Sequence, residues 1–209
     1  RTDDRPANRA GTAIRFRGRT WLLLGVTSFL GLGAFLWPLL IQADGTENLA
    51  HASDAPWLFV LVLPLLLAII VSELSDGAID AKGIAMLGVL AAFGSALRVP
   101  GVAGFEPVFF LLIPAGRVLG RGFGFVLGAV TLLTSALITG GVGPWLPFQM
   151  FGAAWVGLFA GCLPSRPRGR TEVAMLAVYG VIAGLAYGML LNMWFWPFSV
   201  SSGGELSHV

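Results

Sequence analysis

The chain has 209 residues, of which 56% are hydrophobic and only 11% charged, and its mean hydropathy is +0.82. A soluble domain carries about a quarter charged residues, so this composition reads as an integral membrane protein of one domain. A net charge of +2, one cysteine and two histidines give no support for a nucleic-acid binder, an internal disulfide, a zinc site or a Cys/His nucleophile pair.

The opening stretch, 1–19, is polar and carries Arg1, Arg5, Arg9, Arg15, Arg17 and Arg19 with no adjoining cleavage site. It is read as a cytoplasmic tail and not a signal peptide. A membrane-crossing helix needs about 17–25 predominantly apolar residues. Stretches approaching that length lie at about 21–42, 57–74, 82–98, 106–119, 122–140, 147–164 and 172–197. The fourth is short and is expected to tilt or to be partly re-entrant. A helix satisfies its own backbone hydrogen bonds in lipid, so the expected fold is an all-α integral membrane protein with about seven transmembrane helices.

Basic residues set the orientation. A cytoplasmic N-terminus places every Lys and Arg inside except Arg98. Lys82 follows the second span, Arg117 and Arg121 the fourth, and Arg166, Arg168 and Arg170 the sixth. The loop 43–56 carries only Asp44, Glu47 and Asp54 as charged groups and is assigned to the outside. Seven spans leave 198–209 outside too, uncharged apart from Glu205, as in a loop that leads into a further helix.

The first two spans hold almost no polar residue at mid-depth, and SELSDGAIDAKG separates them from the remainder. The expected division is a tail at 1–19, an accessory transmembrane hairpin at 20–74, a linker at 75–81 and a membrane core at 82–209. The third span opens that core with a stripe of small residues: Ala81, Ala85, Gly88, Ala92 and Ala96 recur at helical spacing. Lipid tails are as apolar as leucine, so membrane helices associate where small side chains let backbones approach. The stripe is either a packing face within this chain or a docking face for a second protein. Further ridges of the same kind are Gly120, Gly124 and Gly128; Ala153, Gly157 and Gly161; and Gly180, Gly184 and Gly188. Internal packing is the expected use for most of them.

Polar groups at membrane depth are few, and each is a candidate for function. Arg98 and Glu106 flank the loop VPGVAGF and are placed to pair at the outer mouth. Gln149 and Asn192 lie near the outer ends of their spans. Phe109, Phe110, Trp145 and Trp194 cluster at the same level. Three outer loops, 99–107, 140–149 and 194–204, combine Gly or Pro, aromatics and an adjacent amide or ion. An apolar pocket with a few convergent polar groups is the usual form of a small-molecule site. The sequence shows no P-loop, GxSxG or HExxH, and no paired intramembrane carboxylates. It offers no catalytic residue, metal site or cofactor, and any uphill transport must draw energy from partners.

The run EPVFFLLIPAGRVLGRGFGFVLGAVTLLTSALITGGVGPWLPFQMFGAAWVGLFAGCLP, preceded by LGVLAAFGSALR, resembles the substrate-binding S components of energy-coupling factor (ECF) vitamin transporters, especially actinobacterial ones. The resemblance covers about 82–209 and leaves out the N-terminal hairpin. It implies docking through an AxxxA motif on the first core helix, here Ala92 to Ala96 extended back to Gly88. It implies a transmembrane T component and two ABC-type ATPase subunits as partners, and a vitamin bound under the outer loops at 99–105, 140–147 and 198–209. The last core helix of that family is missing here. On this reading the chain is a non-catalytic plasma-membrane subunit in contact with lipid and not with nucleic acid. It would topple in the membrane to release a vitamin, cobalamin or a precursor as the first guess and riboflavin as the second. The competing readings are a small membrane-embedded enzyme and a structural membrane subunit.

Overall fold

The computed structural model describes residues 18–40, 81–98, 107–143 and 145–201, with a few positions between 64 and 71. Those four segments form α1 (Gly18–Leu40), α2 (Ala81–Arg98), α3 (Phe109–Leu119), α4 (Arg121–Thr139), α5 (Leu146–Ala160) and α6 (Arg170–Ser201), and no strand occurs among the described residues. The all-α expectation therefore holds for this part of the chain.

The seven expected spans are shown in part. Among the described residues three helices are long and apolar enough to cross a membrane: α2, α4 and the Arg170–Met193 part of α6. The stretch expected at 57–74 lies outside the described residues apart from those few positions. The other two core helices are cut short by their turns. α3 stops after 11 residues because Gly120, at φ 97°, reverses the chain straight into α4. α5 stops after 15 residues, where Gly161, Cys162 and Leu163 turn. At 1.5 Å per residue these helices reach about 16 and 22 Å, short of a hydrocarbon core of ~30 Å. α6 runs past the expected end at 197, to Ser201.

α4 is the centre of the bundle. Every residue from Gly122 to Ala129 is buried, and its largest interface is with α5. The glycine ridges explain how the two come so close. A Cβ on Gly124 would run into the Gly157 carbonyl, one on Gly128 into the Ala153 carbonyl, and one on Gly157 into the Gly124 carbonyl. Gly116 of α3 faces the same Gly157 carbonyl, and Gly161 lies over the Arg121 backbone. Two of the ridges seen in the sequence are thus the seam of α3, α4 and α5. Close backbone approach of this kind replaces the hydrophobic drive that helices lack in lipid.

α2 packs on α4 through Leu87, Ala91, Gly94 and Ser95, all buried. The Ser95 hydroxyl donates to the Ala91 carbonyl at 2.7 Å and to the Thr131 carbonyl of α4 at 3.1 Å. A side chain on Gly94 would strike Thr131. α1, the described half of the expected hairpin, lies against α5 and α6. Gly31 accommodates the ring of Phe151, and the Trp155 indole N–H donates to the Ser28 hydroxyl at 3.0 Å. α6 closes the other side, where Tyr187 fits over Gly152 and meets Phe109 edge-on at 5.1 Å.

Candidate functional site

α2 and α4 end, and α3 and α5 begin, at one end of the bundle. The lengths of these helices bring Arg98, the last residue of α2, level with the turn between α4 and α5. That turn is built by two glycines. Gly140 takes the left-handed conformation at φ 67°, and the backbone N–H groups of Gly140 and Gly141 both reach the Ala136 carbonyl. This Schellman-type closure ends α4 and sets the backbone of 140–143 beside the start of α5. Gly143 then leaves room for the Trp145 indole, which a side chain there would displace.

Between these elements lies a cavity of about 250 Å³, lined by Arg98, Ser135, Ala136, Thr139, Gly141, Trp145 and Gln149. Arg98 Nη2 donates to Gln149 Oε1 at 3.5 Å, a long contact between two half-buried groups. Thr139 donates to the Ser135 carbonyl at 2.8 Å, so its hydroxyl oxygen keeps acceptor capacity towards the cavity. Trp145 is 44% exposed and offers a ring face or edge at the rim. The wall therefore presents a fixed cation, a carboxamide, hydroxyls and an indole. Such a wall can hold a flat, partly polar molecule by stacking and hydrogen bonding. Among the described residues no group of three or more His, Cys, Asp or Glu side chains is gathered to hold a metal.

Of the sequence-derived site residues, Arg98, Trp145 and Gln149 meet in this cavity. Phe109 does not line it: it is buried in the core against Tyr187. Its neighbour Phe110 points outward and is 73% exposed. Asn192 is exposed on α6 and does not line the cavity. Glu106 and the side chain of Trp194 lie outside the described residues. Gly141 lies in the outer loop 140–149 singled out from the sequence, whereas Ser135, Ala136 and Thr139 are lining residues that the sequence reading passed over. Their signal was available: Ser135 and Thr139 stand four apart at the polar end of an apolar helix.

The candidate docking residues take a single position. Ala81, Ala85, Gly88, Ala92 and Ala96 are all exposed, on a face of α2 beside the one that packs on α4. Among the described residues, a Cβ at Gly88 would meet nothing within 4 Å. Internal packing of α2 on α4 falls instead to the neighbouring face of Leu87, Ala91, Gly94 and Ser95. No protein family, curated protein or solved structure matches this chain.

Proposed function

We propose that the chain is the substrate-binding S component of an ECF-type importer, held in the plasma membrane with its N-terminus in the cytoplasm and performing no catalysis itself. One observation carries the reading: α2 presents an exposed slim stripe along one side and contributes Arg98 to the cavity at its end. A single helix thus joins a place to hold a solute with a surface on which another protein's membrane helices can lie closely. The partners are a transmembrane T component on that stripe and two ABC-type ATPases that supply the energy. The charge pattern fits this orientation. At the opposite end from Arg98, the helices begin or finish in Lys82, Arg117, Arg121 and Arg170.

The ligand is a vitamin or a related micronutrient. The described cavity of about 250 Å³ falls just below ordinary small-molecule sites, which run ~300–1,000 Å³. Cobalamin or a precursor is the first candidate and riboflavin the second. Stacking falls to Trp145 and polar recognition to Arg98, Gln149 and Thr139.

Melting the purified chain against a vitamin panel tests this. A ligand present at a hundredfold excess over its dissociation constant stabilises the native state by ~2.7 kcal/mol. One vitamin of the panel is expected to raise the melting temperature. Trp145→Ala and Gln149→Ala should each weaken binding about tenfold, or ~1.4 kcal/mol. A well-folded sample whose melt no vitamin shifts contradicts the binding role.

A further inference from the structure

The end of the bundle opposite Arg98 carries a second polar feature that solute binding does not use. α5 and α6 are joined by GCLPSRPRG, 161–169, and Arg170 begins α6. Arg166, Arg168 and Arg170 are all exposed. The segment is held at both ends by bonds that occupy several of its acceptors. Arg117 of α3 donates through Nη2 to the Pro164 carbonyl at 3.1 Å and through Nε to Glu172 Oε1 at 3.1 Å. Thr171 donates to the Arg168 carbonyl at 2.8 Å. Gly169, at φ 61°, accepts the backbone N–H groups of Glu172 and Val173.

Glu172 is the one carboxylate between 161 and 193, and Arg117 already neutralises it. Three guanidinium groups within five residues are therefore left with no acid of this segment to balance them. Arg121 adds a fourth cation nearby, because its backbone lies against Gly161 and its guanidinium stacks over Trp21 at 4.5 Å. Exposed apolar side chains stand at the same end of the bundle: Val118 follows Arg117, Phe159 precedes the turn at Gly161 by two residues, and Val173 lies one helical turn after Arg170. Val118 is 74% exposed, Phe159 54% and Val173 67%. A guanidinium fork matches a phosphate in charge and geometry. Exposed apolar side chains beside such forks match the start of an acyl chain and have no use for a soluble anion.

We infer that the 166–170 arginines, with Arg121, bind the headgroup phosphate of anionic phospholipids, the apolar flank of Val118, Phe159 and Val173 receiving their chains. Each basic residue near an anionic surface contributes about a fivefold preference, so three should give a large selection against zwitterionic lipid even after screening. The role is independent of whether the chain binds a vitamin.

The experiment is native mass spectrometry of the full-length chain, titrated separately with dioleoyl phosphatidylglycerol and dioleoyl phosphatidylcholine. The wild type is expected to retain phosphatidylglycerol at least tenfold better. Arg166→Gln, Arg168→Gln and Arg170→Gln together should bring the ratio close to one. Lys82→Gln, at the start of another helix, should leave it unchanged. The single variants provide the same readout should the triple variant fail to fold. Equal retention of the two lipids by the wild type overturns the proposal. So does an unchanged ratio in the arginine variants, which would leave these residues a role in topology alone. Displacement of phosphatidylglycerol by inorganic phosphate at equal concentration would also overturn it, by assigning the site to a soluble anion.

Discussion

Gly157→Val is expected to give no folded, monodisperse protein, and Gly157→Ala a protein that melts far below the wild type. Gly157 sits where α3, α4 and α5 meet, and what surrounds it is main chain. Its Cβ would run into the Gly124 carbonyl, while Gly116 and Gly124 already face the Gly157 carbonyl. Overpacking usually costs ~1–3 kcal/mol because a neighbouring side chain yields. Here no side chain stands at the closest contact to yield, so the helices must separate along the seam. The cost then exceeds that range, against a total stability of only ~5–15 kcal/mol. Gly184→Val is the control. Among the described residues a Cβ at Gly184 meets nothing within 4 Å, and that variant should melt like the wild type. Fluorescence-detected size exclusion and a thermal melt read both. A Gly157→Val protein indistinguishable from the wild type would mean that the glycine seam does not hold this bundle together.

Ala92→Leu combined with Ala96→Leu should reduce co-purification with a T component and its ATPases at least tenfold, or ~1.4 kcal/mol, while leaving the protein folded and its ligand affinity unchanged. Both positions are exposed and neither lines the cavity. Leucine is also as good a helix former as the site requires. What the change removes is close approach. Two isobutyl groups on the slim side of α2 hold a neighbouring backbone away, and in lipid no hydrophobic gain compensates. The same change at Ala91 or Ser95 would strike the α2–α4 contact and unfold the protein, so the comparison separates a partner surface from an internal one. Full retention of the partners by the Ala92/Ala96 variant would count against docking on this stripe.

The helices and their seam were legible in the sequence because small residues four apart have one strong meaning in a membrane. The Gly124–Gly128 and Ala153–Gly157–Gly161 ridges are the α4–α5 contact. The third ridge shows the limit of that signal. A Cβ added at Gly184 or Gly188 would meet nothing within 4 Å among the described residues, although their spacing is the same. Lipid-facing and core-facing residues are equally apolar, so periodicity alone cannot say which side of α6 turns inward. The same ambiguity separates Phe109 from Phe110. Adjacent residues on a helix start point about 100° apart, and one ring entered the core while the other left it. α2 carries two slim faces side by side. The five-residue stripe is the longer, yet the shorter face of Ala91, Gly94 and Ser95 makes the internal contact, aided by the Ser95 hydroxyl on Thr131. In the cavity, the three residues with distinctive side chains were found from sequence. Thr139 escaped because a hydroxyl that bonds its own helix carbonyl looks like ordinary helix interior.

The coupling of cavity and docking face through α2 is tested most directly by a photo-crosslinking amino acid placed at Ala92 in the full-length chain in its native membrane. Irradiation should yield an adduct whose second peptide, sequenced by mass spectrometry, comes from a multi-helix membrane protein encoded as an ECF T component, and Leu87 should yield none. Adducts at Ala92 confined to lipid, or to peptides of this same chain, would contradict the account.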